Sequence, residues 1–246
     1  MGIAVLLLAI PVGICIGVVG IGGVLLPPAL TWLTGLDIHA AAGTSSWSFL
    51  FTGLAGTAAY ARHQAMPWRF GGWLTLGAAP AAAVGALVNG AVPATALWLV
   101  LATLTAGSGA FNLWGRPRES AGRRELSPVA AVAVGVFIGF GSALTGTGGP
   151  VLLVPVLLAL GVPALTTVAA GQLVQLPLVG FATLGYAAHG SVHFGLGSLL
   201  GVLAAAGVLA GARLARRLPG RHLHRVASAA LVGFGAVLFV LPFLPR

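Results

Sequence analysis

Residues 17–23 read Gly-Val-Val-Gly-Ile-Gly-Gly, and a related stretch, Ala-Leu-Thr-Gly-Thr-Gly-Gly, occupies residues 143–149. Both stretches interrupt long hydrophobic segments, and they share three glycines at an offset of 126 residues. A helix in lipid must pair its own backbone groups, so a break is tolerated only where protein or a water-filled cavity receives the freed groups. The two glycine breaks therefore predict one site built from two halves.

The composition places both breaks inside a membrane. Of the 246 residues, 58% are hydrophobic, and only 3 acidic residues accompany 12 basic ones, all of them arginine. The arginines cluster in short loops, as topology signals do, and no basic stripe carries interleaved aromatic residues. We therefore expect a multi-pass protein of the inner or plasma membrane with a lipid partner and no nucleic-acid partner. The single cysteine, Cys15, excludes an internal disulfide and a cysteine metal cluster.

The offset of 126 residues extends beyond the glycine breaks and predicts an internal duplication. We expect a first transmembrane repeat at 1–115, an arginine-rich cytoplasmic linker at 116–126, and a second repeat at 127–246, packed together as one transport domain. Further pairs at this offset are Gly13 with Gly139, Gly35 with Gly161, Tyr60 with Tyr186, His63 with His189, Pro93 with Pro219, and Gly107 with Gly233.

Each half begins with an apolar segment that is too long for a simple span. Residues 3–34 and 129–160 would form helices of nearly 50 Å at about 1.5 Å per residue, against a hydrocarbon core of roughly 30 Å. Each segment must therefore be broken, tilted or folded back. Three simpler spans follow in each half, at 43–61, 70–88 and 94–114, and at 166–187, 194–212 and 222–243.

The loop arginines distinguish two topologies. If the first segment of each half crosses once, the halves are parallel and the arginines divide seven to five between the faces. If it is a re-entrant hairpin, the halves are inverted and eleven of the twelve arginines share one face, as the positive-inside rule favours. The predicted fold is an all-α polytopic membrane protein with two inverted repeats. Each repeat has a glycine-broken re-entrant hairpin and three transmembrane helices, with both termini outside and the hairpin tips meeting near the midplane.

Apart from Arg225 near the start of the last span, the predicted spans contain no Asp, Glu, Lys or Arg, and no span contains a carboxylate, which argues against a cation or proton pump. The glycine breaks instead offer backbone N–H groups at helix N-termini, which attract anions. Alternatively, these glycines only permit close packing. Val19 and Ile21 occupy the positions in the first stretch that correspond to Thr145 and Thr147 in the second. We therefore expect the second tip to make more polar contacts. The residues predicted to bind substrate at the two tips are Gly20, Gly22, Gly23, Thr145, Gly146, Thr147, Gly148 and Gly149.

The helix after each break carries polar residues that extend the predicted site. Thr44, Ser45 and Ser46 lie in the first half, and Gln172 and Gln175 in the second. Ser46 and Gln172 are paired by the offset, so we expect the two polar patches to face each other. The hydroxyl groups could instead bond carbonyls of their own helix, whereas an amide in lipid needs partners.

His63 and His189 end the same helix in each half, next to Tyr60 and Tyr186. They are candidates for proton coupling, because histidine titrates near physiological pH, or for simple interfacial anchoring. No spacing of histidines and carboxylates indicates a metal site, and no catalytic constellation is present. We therefore expect neither an enzyme nor a cofactor.

The chain resembles the TauE/SafE family of sulfite exporters, also called 4-toluene sulfonate uptake permeases. The resemblance covers the whole chain, including its roughly eight hydrophobic segments. The residues that carry it are Gly20-Ile21-Gly22-Gly23 with Pro27 and Pro28, Ala42-Gly43-Thr44-Ser45, and Gly146-Thr147-Gly148-Gly149 with Pro155. This family implies export or uptake of sulfite or organosulfonates across the bacterial inner membrane.

The residues and the resemblance together predict a secondary transporter of a small sulfur-containing anion that works by alternating access. The first alternative is a transporter or channel for another small anion or a neutral metabolite. The second alternative is a structural membrane protein without transport activity.

Overall fold

The computed structural model describes residues 2–20, 22–62, 66–114 and 126–215, together with 232, 233 and 236. Within these residues the secondary structure is helical, with no strand. The predicted last span and most of the linker lie outside the described residues. The helices are α1 (Gly2–Val19), a 3₁₀ turn (Gly22–Leu25), α2 (Leu26–Thr34), α3 (Ile38–Ala61), α4 (Trp68–Asn89), α5 (Ala94–Trp114), α6 (Pro128–Thr145), α7 (Pro150–Ala159), α8 (Ala164–Ala187) and α9 (Phe194–Ala215).

Four of the described helices are long and apolar enough to cross a membrane, namely α4, α6, most of α8, and α9. Large apolar side chains on these helices point outward, among them Leu76, Phe137 and Leu184, each more than 60% exposed. Such an apolar exterior suits lipid contact. The predicted class, an all-α polytopic membrane protein, is confirmed.

Both long first segments are interrupted at the glycine breaks. In the first, α1 ends at Val19, Gly20 has a positive φ of 80°, and the 3₁₀ turn begins at Gly22. In the second, Gly146, Gly148 and Gly149 have φ values of 69°, 81° and 105°. Glycine adopts this left-handed region without steric cost, so it can end one helix and redirect the chain into the next.

The chain turns back on itself after each break. Gly22 lies directly against the backbone of Val12 and Ile16 in α1. Gly141, in the last turn of α6, similarly lies against the side chain of Leu152 in α7. The segment after each break is therefore folded against the helix that precedes it.

Helix α3 begins five residues before its predicted start. The Asp37 carboxylate accepts hydrogen bonds from the backbone N–H groups of His39 and Ala40, at 2.9 and 3.0 Å. This N-cap satisfies donors that a helix start leaves unpaired. Hydropathy places the boundary too late because it measures apolar length and not capping.

Glycines let helices from the two halves approach closely. Gly13 and Gly17 of α1 lie against the carbonyl groups of Ala204 and Val208 in α9, so these two helices run in the same direction. No β-carbon fits at either glycine, as is usual where small residues form a helix contact in membranes.

The same arrangement joins α6 to α4. Gly139 lies against the carbonyl group of Ala78, and Gly135 against that of Leu74. Helices α4 and α6 therefore also run in the same direction.

Helices α3 and α8 pack against each other in opposite directions. Gly43, near the start of α3, lies against Ser191 beyond the end of α8, whereas Gly56 lies against Gln172 near the start of α8. Helix α9 runs in the same direction as α3, because Gly197 contacts Thr44 and Gly201 contacts Ser48.

Gly139→Ala tests the close contact between α6 and α4. The added methyl group would meet the backbone of Ala78, so we expect a loss of about 1–3 kcal/mol in the free energy of unfolding. Gly72→Ala is the control, because nothing lies within 4 Å of the position of its β-carbon. Thermal unfolding in detergent should show a lower Tm for Gly139→Ala alone, and equal Tm values would contradict the packing.

Candidate functional site

The two glycine breaks meet at the middle of α3. A β-carbon placed on Gly23 would lie 2.9 Å from the carbonyl oxygen of Thr147 and 3.2 Å from Cζ of Phe49. Gly148 contacts the same ring from the second break, and Phe49 itself is buried. The structure thus brings together the glycines that the sequence predicts to form one site.

The second break frees backbone carbonyl groups, and several side chains receive them. The last four carbonyl groups of any helix lack partners within it. At the end of α6, the Ala143 carbonyl accepts from the Tyr186 hydroxyl, and the Leu144 carbonyl accepts from Asn89 Nδ2 at 2.7 Å. The Ser142 carbonyl accepts from the backbone N–H of Thr147 at 3.1 Å. The end of α6 is therefore held by α4 and α8.

The first break is held by fewer such contacts within the described residues. The Ile16 carbonyl accepts from the N–H of Gly20 at 2.9 Å, and the Gly17 carbonyl accepts from the Tyr60 hydroxyl at 3.4 Å. The sequence offset pairs Tyr60 with Tyr186, and each tyrosine donates its hydroxyl proton to a backbone carbonyl at one of the two breaks. Sequence reasoning placed these tyrosines beside the histidines at a helix end, although their recurrence already indicated a shared role.

Asn89 was missed by sequence reasoning altogether. It is buried at the end of α4, and its Oδ1 lies 2.9 Å from Nδ1 of His39. Since Asn89 Nδ2 must donate to a carbonyl group, Oδ1 accepts, and His39 donates through Nδ1. The signal that could have found Asn89 is an amide within an apolar segment, where it needs partners.

The second break offers hydrogen-bond donors to a ligand. The hydroxyl groups of Thr145 and Thr147 lie 3.2 Å apart and are buried, and the Thr145 hydroxyl donates to the Gly141 carbonyl of its own helix at 3.1 Å. Of the two, only Thr147 can therefore turn its proton toward a ligand, by giving up its bond to Thr145. The N–H groups of Gly148 and Gly149 donate to no other described residue, and they precede the N-terminus of α7. Free N–H groups at such a position favour an anion.

The first break is described less completely. Gly22 and Gly23 open the 3₁₀ turn and are buried. Ile21 and the side chain of Val19 lie outside the described residues, so the expected inequality between the two tips stays a prediction.

The hydroxyl residues of α3 flank the second break. Gly146 packs on the backbone of Ala42, and Ser45 and Ser46 follow one turn later on the same face. The Ser46 side chain is buried. Ser45 Oγ is fully buried and has no hydrogen-bond partner.

Thr44 is engaged in helix packing. Its hydroxyl accepts from the backbone N–H of His193 at 3.1 Å, at the start of α9. This bond joins the two helices and leaves Thr44 less available to a ligand than Ser45.

The side-chain amide of Gln175 in α8 has hydrogen-bond partners at its nitrogen but not at its oxygen. Its Nε2 donates to the Phe49 carbonyl at 2.9 Å and to Thr52 Oγ1 at 2.8 Å. Its Oε1 is buried without a partner. The amide therefore fixes the middle of α3 and leaves one acceptor free.

Gln172 carries the strongest indication of a ligand. Its side chain is fully buried against Gly56, and neither Nε2 nor Oε1 has a hydrogen-bond partner. The backbone carbonyl of Gln172 is satisfied by the Thr57 hydroxyl at 2.9 Å. Each unpaired buried polar group costs about 1–3 kcal/mol, so a bound solute or water is expected to complete this side chain.

The two residues that the offset pairs, Ser46 and Gln172, do not lie opposite each other, although α3 and α8 meet through Gln175. Gln172 lies beside Gly56, ten residues beyond Ser46 and about 15 Å further along α3. Because α3 and α8 run in opposite directions, residues that the offset of 126 pairs lie far apart near the helix ends and meet only near the middle. Phe49 and Gln175 are such a pair.

The histidine candidates lie away from this centre. His189 is exposed, and its Nδ1 lies 3.2 Å from the Gly185 carbonyl oxygen of its own helix. It follows Gln175 by fourteen residues, or about 21 Å along the helix direction. His63 lies outside the described residues. Among the described residues, no group of three or more His, Cys, Asp or Glu could hold a metal ion.

Helices α1 to α9 contain two formally charged side chains, Arg69 and Arg213, and both lie near a helix end. The glycine breaks are therefore surrounded by neutral polar groups. Fold and site together define a multi-pass α-helical membrane protein with a buried, uncharged polar site where two helices break.

Known protein families include one that matches this chain over most of its length. The family model described as "Sulfite exporter TauE/SafE" matches residues 5–238. The chain belongs to this family of membrane transporters and is not an enzyme. The resemblance predicted from the glycine motifs is thus confirmed.

A curated relative points the same way. Over 115 residues the chain is 32% identical to "Probable membrane transporter protein ORF9" of Sinorhizobium sp. The matched segment covers 46% of this chain and 44% of that protein, so it spans less than half of the relative. No solved structure matches the chain.

Replacing each repeated tyrosine by phenylalanine tests the support of the two breaks. Tyr186→Phe leaves the buried Ala143 carbonyl unpaired and should lower the free energy of unfolding by about 1–3 kcal/mol. Tyr60→Phe is the matched control, and its longer bond of 3.4 Å predicts a smaller loss. Thermal unfolding of both variants gives the comparison. A larger loss for Tyr60→Phe would contradict the assigned roles.

Proposed function

We propose that this protein exports a small sulfur-containing anion, such as sulfite or an organosulfonate, across the inner membrane. The observation that carries the proposal is the fully buried Gln172 amide, which has no hydrogen-bond partner. Ser45 Oγ is equally buried and unpartnered. Membership of the sulfite exporter family supports the choice of substrate class.

The chemistry of the site suits an oxyanion that must also be released. Donors near the second break are the hydroxyl groups of Ser45 and Thr147 and the N–H groups of Gly148 and Gly149. Neutral donors bind an anion without the strong hold of an arginine. Release at the opposite face of the membrane then costs less free energy.

Alternating access between two inverted halves is the mechanism that we infer. Three pairs of helices have first and last residues that differ by 126 in number: α1 and α6, α3 and α8, and α4 and α9. Contacts follow the same rule, since Gly13 lies against Ala204 while Gly139 lies against Ala78. A site between inverted repeats can open to either face when one half moves against the other.

The shared direction of α1, α3 and α9 supports re-entrant first segments. If α1 and α2 crossed the membrane once, α3 would begin on the opposite face from α1 and run against it. Instead, α1 and α3 both run in the direction of α9. The first segment therefore returns the chain to its starting face, as a hairpin does.

Export agrees with the energetics of an anion. An inside-negative potential is worth about 2.3 kcal/mol per charge per 100 mV and drives anions outward. Export can thus proceed without a coupled ion, whereas uptake would need one. Coupling of transport to protonation of His189 would have to act over roughly 21 Å, which is the distance along α8 between His189 and Gln175.

A neutral solute is the second candidate function. The Oε1 atoms of Gln172 and Gln175 are buried acceptors without partners, and acceptors suit a solute that carries N–H or O–H groups. A binding assay on the purified protein separates the two candidates. Binding of sulfite and sulfonates would favour an anion, and binding of neutral metabolites in their place would favour a neutral solute.

Gln172→Leu tests the proposed site through two opposite effects. Removing an unpaired buried amide should raise the free energy of unfolding of the empty protein by about 1 kcal/mol. The same change should lower sulfite flux in reconstituted vesicles about three- to tenfold, as expected for one lost hydrogen bond. Thr147→Val should lower flux in the same way.

Thr103→Val is the control for these flux measurements. Thr103 is exposed on α5, and its hydroxyl donates to the Leu99 carbonyl of its own helix at 2.8 Å. Its flux should equal that of the unmodified protein. Unchanged flux in Gln172→Leu and Thr147→Val would remove both residues from the site. Absence of any anion flux in the unmodified protein would favour a structural role.

Cysteine labelling tests the inverted arrangement. Arg62 follows the end of α3 and His189 follows the end of α8, and these helices run in opposite directions. In a Cys15→Ser background, Arg62→Cys and His189→Cys should react with a membrane-impermeant thiol reagent from opposite faces. Reaction of both from the same face would exclude inverted halves.

A further inference from the structure

We propose that the Phe49 side chain is the barrier between two polar subsites, each of which is reached from a different face of the membrane. The inference rests on the proposed transport function and adds the residue that closes the path. The Ser45 subsite consists of Ser45, Thr147 and the N–H groups of Gly148 and Gly149. The Gln172 subsite consists of Gln172 and the free Oε1 of Gln175.

The Phe49 ring fills the space between the two breaks. A β-carbon on Gly148 would lie 2.6 Å from Cδ2 of this ring, and one on Gly23 would lie 3.2 Å from its Cζ. The ring is therefore held between a glycine of each half, and neither position leaves room for a larger residue. Phe49 is 1% exposed, so the ring leaves no open passage to solvent at this point.

Unpartnered polar atoms lie on both sides of this ring along α3. Ser45 precedes Phe49 by one helical turn, or about 6 Å. Gln172 lies beside Gly56, which follows Phe49 by two turns, or about 10 Å. The two subsites therefore lie on opposite sides of the Phe49 ring along the axis of α3, a helix of 24 residues or about 36 Å.

The two subsites differ in the chemistry that they offer. The Ser45 subsite presents hydroxyl and N–H donors, which suit the oxygens of a small oxyanion. The Gln172 subsite presents one amide N–H₂ group and two amide oxygens, which also accept a proton-bearing group. A solute that moves between them must pass an apolar ring that offers no hydrogen bond.

The backbone at Phe49 is fixed, so the ring itself or the glycine breaks must move. The Phe49 carbonyl accepts from Gln175 Nε2, which binds α3 to α8 at this residue. Rotation of the ring, or withdrawal of the break that contains Gly148, would connect the two subsites. Smaller side chains at residue 49 should connect them permanently.

The test measures nitrate leak from vesicles that contain the purified protein, with valinomycin present to carry potassium. Phe49→Ala should increase the leak at least about tenfold, which corresponds to ~1.4 kcal/mol of lost barrier. Phe49→Leu should give a smaller increase, and Phe49→Trp should lower sulfite flux. Phe181→Ala is the matched control, because Phe181 is 45% exposed on the outside of α8 and should not alter the leak.

The outcomes separate this inference from the proposed function. Nitrate leak in Phe49→Ala without sulfite transport by the unmodified protein supports the barrier and rejects the substrate class. Sulfite transport by the unmodified protein without leak in Phe49→Ala overturns the barrier. If Phe49→Ala does not fold, as judged by gel filtration, Phe49→Leu decides, and a leak equal to that of the control overturns the proposal.

Labelling adds a second measurement on the same barrier. In a Cys15→Ser and Phe49→Ala background, Ser45→Cys should react with an impermeant thiol reagent applied to either face. With Phe49 present, reaction should be confined to one face or blocked. Reaction from a single face, or none, in the Phe49→Ala background would overturn the proposal.

Discussion

The need to satisfy backbone carbonyl groups within lipid governs this structure. A helix that ends inside the membrane leaves its last carbonyls without partners, and water is not available to receive them. At the end of α6 the Tyr186 hydroxyl and the Asn89 amide supply the missing donors. These side chains come from α8 and α4, so the packing of these two helices on α6 and the position of the break depend on each other. The break can then be polar and still be buried.

Much of this fold could be predicted because few physical rules apply inside a bilayer. Segments 3–34 and 129–160 are too long to cross the membrane as single helices, so an interruption was expected in each. The glycines predicted that these interruptions lie near Gly20 and Gly146. The contact between the two breaks followed from the offset of 126 residues. Boundaries set by capping were harder to predict, since Asp37 starts α3 through hydrogen bonds that hydropathy does not register.

The details of the site could not be predicted because they depend on which helices run in opposite directions. The offset pairs Ser46 with Gln172, but the antiparallel crossing of α3 and α8 separates these residues and brings Phe49 to Gln175 instead. The partners of Asn89 were equally hidden, because a sequence does not state which carbonyl a distant amide reaches. Ser45 and Gln172 were recognised as candidates, whereas their lack of partners needed the structure.

The bond from Asn89 to Leu144 also distinguishes the two halves of the chain that the offset of 126 residues relates. The residue 126 positions after Asn89 is Ala215, which carries no side-chain donor and cannot bond the end of α1 as Asn89 bonds the end of α6. Under the proposed alternating access, the two conformations would be related by a two-fold rotation in a perfectly symmetric protein, and this difference makes their free energies unequal. A transporter that alternates as proposed would then favour the conformation that keeps the end of α6 bound, even before any solute binds.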